Sequence, residues 1–99
     1  MTAKERAVIQ AHINKMTEID REKDRAFYAI QALNVEHGDG TKWCSPDANL
    51  AGVLANGDEL SKGRAKYQYR LYFEACAKED LLRELGQGLA DIGFWKNRT

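Results

Sequence analysis

The first 37 residues contain neither glycine nor proline, and the chain has a single proline, Pro46. No other feature restricts the fold as strongly. Proline breaks helices and glycine weakens them, so a stretch this free of both and rich in good helix formers is free to be helical throughout. Residues 3 to about 35 therefore read as one long helix. At about 100° per residue, Ile9, Ile13, Met16, Ile19, Ala26, Phe27, Ile30 and Leu33 gather on one side, with charged residues filling much of the opposite arc. The helix should end near Glu36-His37-Gly38, where glycine can supply a left-handed cap.

Residues 36–57 break the pattern. His37-Gly38-Asp39-Gly40-Thr41 has the chemistry of a turn. Ser45-Pro46-Asp47 then has the form of a helix start, with Ser45 as N-cap, Pro46 at the first helical position and Asp47 at the positive end of the dipole. Asn56-Gly57 closes that short helix, and Asp58 can cap the next.

Residues 58 to about 85 form a second long helix, apolar on two sides. Tyr67, Leu71, Ala75, Leu82 and Leu85 follow the stripe of Leu60, while Tyr69, Phe73 and Cys76 lie near the reverse face and Tyr72 between them. A two-helix hairpin satisfies only one such face. Gly86-Gln87-Gly88 reads as a break before a short apolar arm carrying Leu89, Ile92, Phe94 and Trp95. The expected fold is all-α: two long antiparallel helices joined by a loop with a short helix, plus a C-terminal arm. One domain spans 1–99, and a homodimer or higher oligomer is expected.

Composition excludes several functions. Fifteen basic and fifteen acidic groups leave no net charge, unlike a strongly basic nucleic-acid binder or an acidic DNA mimic. The two long helices are each near neutral, with six basic and five acidic groups in 1–35 and six of each in 58–85. No run approaches the roughly 18 apolar residues of a membrane span, and the polar opening Met1 to Arg6 does not read as a signal peptide. Cys44 and Cys76 are too few and too far apart for a disulfide framework or zinc knuckle. A cytoplasmic chain with no cofactor and no metal is expected.

Three groups of residues carry the candidate chemistry. His12, Asp20 and Lys23 fall within the apolar arc of the first helix, and Arg64 and Lys78 within that of the second, with Glu74 at its edge. Buried charges need partners. Level pairing of the helices puts Asp20 and Lys23 opposite residues 69–72, within reach of Arg70 or Glu74. The plainer reading is an ion-pair layer fixing register, as polar groups do at coiled-coil seams. The sharper one is a pocket for a charged ligand.

The second group is the loop around Trp43. His37, Asp39 and Cys44 match no metal-ligand spacing, and the glycines lack the lysine-serine signature of a phosphate loop. Trp43 is either an interface anchor or a cap folded over the end of the helix pair. The third group, Tyr67, Tyr69, Tyr72 and Phe73 beside Arg64, Lys66 and Arg70, could stack nucleobases. Packing or an oligomer interface is the commoner use of such a cluster.

No glycine-flanked serine and no spaced carboxylate pair suggests catalysis, so an enzyme is not expected. The leading expectation is a small binding protein that occupies the surface of a larger protein through Trp43, Tyr69, Tyr72 and Trp95. Accessory proteins of phages and mobile elements, including inhibitors of host defence machinery, share this size and composition. The alternative is an oligomer binding a small anionic ligand such as a nucleotide through Lys23, Arg64, Arg70 and Lys78. A nucleic-acid-binding accessory is a second alternative.

Overall fold

The computed structural model describes the backbone of residues 2–91 and the side chains through Gly86, and every regular element in it is helical. Three helices follow one another: α1 (Ala3–His37), α2 (Pro46–Asn56) and α3 (Glu59–Asp91). The Thr2 hydroxyl caps α1 by accepting from the Glu5 N–H at 3.1 Å. Asp58 caps α3 in the same way, its carboxylate accepting from the Ser61 N–H at 2.7 Å. Ser45 is the N-cap residue of α2, with Pro46 in its first turn.

α1 and α3 form a long antiparallel hairpin, with α2 packed on both near the connection. The radius of gyration is 18.1 Å and the extents are 55 × 21 × 19 Å, against about 13 Å for a compact chain of this length. A rod of this shape has a thin core. Its buried apolar residues among those described are Ile19, Ala26, Ile30, Val53, Ala65 and Ala75, joined by the polar Asn34, Asn49, Ser61 and Glu79.

Four features differ from the sequence expectation. First, α3 does not break at Gly86-Gln87-Gly88 but continues to Asp91, since each interior glycine costs only about 1 kcal/mol in a long helix. The expected arm with Ile92, Phe94 and Trp95 lies outside the described residues. Second, Gly38 is not left-handed: its φ is −109°, and the left-handed residue is Gly40 at φ 80°. Gly38 is needed for space instead, because a Cβ there would stand 2.2 Å from the Asn34 side-chain oxygen.

Third, the register is shifted by about two to three turns. Lys23 meets Glu79, and Glu22 meets Lys78, where level pairing gave Arg70 or Glu74. α2 fills the loop end, so α3 begins beyond the end of α1 rather than level with it. Fourth, the face of α3 against α1 runs from Ala75, on the expected Leu60 stripe, into the arc between its two apolar sides. Ser61, Ala65, Ala75 and Glu79 are buried, while Leu60, Tyr67, Phe73 and Leu85 are each more than half exposed. Small side chains permit close helix approach, which a row of Leu and Tyr would prevent. Ile13 on α1 is likewise half exposed.

Candidate functional site: the Trp43 loop

Two fully buried asparagines organise the connection between α1 and α2. Asn34, from the last turns of α1, accepts from the Asp39 N–H at 3.0 Å. Its amide N–H groups face the Asp39 carboxylate at 2.9 Å, the Thr41 carbonyl at 2.9 Å and the Asn49 side-chain oxygen at 3.3 Å. Asn49, from α2, accepts from the Trp43 N–H at 3.3 Å and donates to the carbonyls of Trp43 and Ser45 at 3.1 and 3.2 Å. Gln31 donates to the same Trp43 carbonyl at 3.2 Å. Buried amides satisfied on every side fix the chain around them, because any displacement would leave polar groups unpaired.

Gly52 makes the arrangement possible. A Cβ at that position would lie 2.1 Å from the Asn34 side-chain oxygen. The backbone of α2 therefore approaches α1 at the one place where α1 carries a buried amide.

The network clamps the peptide groups of Trp43 and leaves its side chain outside. Trp43 is 44% exposed, and its indole N–H points to the Asp39 carboxylate at 3.5 Å. Asp39 also accepts from the Thr41 N–H at 2.8 Å. That backbone donor above all, with Trp43 and Asn34, holds its carboxyl below the usual carboxylate range. Lys42, Cys44 and Ser45, which flank Trp43 in the chain, are exposed. Next to the loop lies an open groove of about 250 Å³ lined by Tyr28, Gln31, Ala32, Val35, Glu36 and Lys42. Tyr28 is 61% exposed and meets Phe27 edge-on, with ring centres 5.4 Å apart. Tyr28 and Lys42 thus share the groove, an exposed aromatic and a cation on the side of α1 next to the loop.

The remaining candidates are dispersed. Lys23 donates to Glu79 at 2.9 Å inside the α1–α3 contact, and Arg83 reaches the other Glu79 oxygen at 2.9 Å. The Lys23 hydrogen bond lowers the Glu79 carboxyl, and the same bond raises the Lys23 amine. Tyr72 lies half-buried beside them, and burial raises its phenol, with Cys76 adding to the effect. Tyr69 donates to Asp47 of α2 and packs on Phe73 with ring centres 5.1 Å apart. That hydrogen bond to a carboxylate raises the Tyr69 phenol.

Tyr69 and Tyr72 thus have partners within the chain, while Trp95 lies outside the described residues. Of the four cations considered for an anionic ligand, Lys23 is paired with Glu79, Lys78 with Glu22 and Arg70 with Glu74. Arg64 is exposed. Asp20 is exposed at the edge of the Lys23–Glu79 pair.

Among the described residues, no group of three or more His, Cys, Asp or Glu side chains could hold a metal ion. No helix there is long and apolar enough to cross a membrane. No protein-family model matches the chain, and neither a curated protein nor a solved structure is detectably similar to it.

The sequence reading missed Asn34, Asn49, Gly52 and Tyr28. Asn34 had a signal, since it lies about 40° from Ile30 on the apolar arc of α1. Tyr28 had another, being an aromatic on the arc assigned to charge. Asn49 and Gly52 had none, because their roles depend on how α2 meets α1.

Proposed function

We propose that the protein is a non-catalytic binding module that presents Trp43 to a larger protein and acts by occupying its surface, as an inhibitor or adaptor does. The observation carrying this reading is the clamping of the Trp43 backbone by Asn49 and Gln31 while the indole remains 44% exposed. Tryptophan is among the residues most enriched at interface hot spots. A loop already held in one conformation loses less entropy on binding than a mobile one. The groove next to the loop, with Tyr28 and Lys42 in its lining, offers a further aromatic and a cationic contact.

The test compares tagged wild-type chain with Trp43→Ala in capture from the native host, read by mass spectrometry. A partner held by wild type and lost by Trp43→Ala, with unchanged helicity and melting, is the expected result. A partner retained equally by both chains would remove the loop from the function.

A further inference from the structure

Two rows of side chains run along α3, offset by one residue. The inner row includes Ala65, Tyr72, Ala75 and Glu79 and faces α1. The outer row is Tyr67, Leu71, Glu74, Lys78, Leu81 and Leu85, alternating by four and three as a coiled-coil seam does. Tyr67, Leu81 and Leu85 are 52%, 59% and 57% exposed. Lys78, Leu81 and Leu82 form one wall of a groove of about 350 Å³, and Lys15, Glu18, Ile19 and Glu22 of α1 form the other.

We propose that this outer row is the contact with a second copy of the chain, packed antiparallel about a two-fold axis at the middle of the row, between Glu74 and Lys78. In that register Glu74 meets the partner's Lys78, Leu71 the partner's Leu81, and Tyr67 the partner's Leu85. Symmetry makes each contact twice. Every apolar residue of the row faces an apolar residue, and each charge faces its opposite.

The neighbouring registers fail this condition. Sliding by one heptad in either direction sets Glu74 against a leucine. A parallel pairing sets Glu74 against Glu74 and Lys78 against Lys78. Charge and hydropathy together therefore select one arrangement, and its product is a four-helix bundle of two hairpins. The same side chains also have partners within the chain, which the contact would share. Lys78 lies 3.2 Å from its own Glu22, Arg70 sits 3.7 Å from Glu74, and the Arg70 guanidinium rests 5.5 Å over the Tyr67 ring.

The experiment is sedimentation equilibrium of the full chain between about 1 and 100 μM. A dimer is expected. Glu74→Lys places lysine against lysine at two symmetry-related points and should raise the dissociation constant at least about tenfold. Lys78→Glu should do the same with glutamates. Mixing the two variants restores a glutamate opposite every lysine, so the mixture should associate as a heterodimer. Both positions are exposed, and circular dichroism of each variant checks that the helices persist. A wild-type monomer at 100 μM, a dimer indifferent to both substitutions, or a mixture that stays monomeric would each overturn the proposal. Trp43→Ala should leave the dimer intact, which separates this surface from the loop.

Discussion

Asn34 and Asn49 meet across the α1–α2 contact at 3.3 Å with neither residue exposed. Side-chain amides are uncommon in so small a core, and these two bond mainly to backbone. Between them they hold the peptide groups of Asp39, Thr41, Trp43 and Ser45. The loop shape is thus encoded by two residues that do not belong to it.

Asn49→Ala should lower stability by about 2–3 kcal/mol, because it strands the buried partners of the amide. Asn34→Ala should cost a similar amount. Urea unfolding followed by circular dichroism measures both. A loss below about 0.5 kcal/mol would show that water replaces the amides at no cost.

Gly52→Ala tests the close approach of the helices. Its new methyl would overlap the Asn34 side chain, which is buried and bonded on all sides. The expected loss is about 1–3 kcal/mol, although alanine is the better helix former. Gly63→Ala is the control: its position is open, so alanine should stabilise by about 0.5–1 kcal/mol.

Stability should fall on both sides of neutrality. Glu79 is lowered by the Lys23 hydrogen bond from its ordinary 4.5, and Asp39 by the Thr41 N–H from 3.8. For each, the unfolded chain takes up a proton more readily than the folded one. Their contributions are complete above those ordinary values and disappear as pH drops through the lowered folded ones. Lys23 is raised above 10.5 by Glu79. Its contribution is complete below 10.5 and is lost as pH climbs through the folded value. Urea midpoints from pH 2 to 11 should trace this shape, and Glu79→Gln should flatten both limbs.

Lys23→Met should destabilise by about 2–3 kcal/mol, since it leaves Glu79 in the helix contact with only the exposed Arg83. Lys23→Met with Glu79→Leu should recover most of that loss. A double variant no better than Lys23→Met alone would mean that the pair does not act through its charge.

The long helices were legible in the sequence because local chemistry decides them. The gap in glycine and proline, the Ser45-Pro46 start and the Asp58 cap each act within one turn. The inward face of α3 was not legible. Periodicity identifies where the large apolar residues lie, and it placed them on two arcs, while α1 packs on Ala75 at the edge of one arc and on the small residues between them. Only the diameter of Ala65 and Ala75 decides that, and hydropathy does not measure diameter. The register was hidden for a related reason, since α2 sets where α3 begins. Trp43 was visible as a candidate, but the amides holding it come from positions far from it in sequence.

The distribution of buried side chains also has a mechanical consequence. Every fully enclosed residue among those described lies between Ile19 and Glu79, toward the loop end. The first 16 residues of α1 contain none, and a helix of that length alone is marginal in water. The hairpin is thus clamped at the asparagines, and the opening turns of α1 lack that hold. Amide hydrogen exchange should therefore quicken steadily from Asn34 toward Thr2. Whatever grips the start of α1 gains a means of slowing that exchange without touching Trp43, so events there and at the indole can be registered independently.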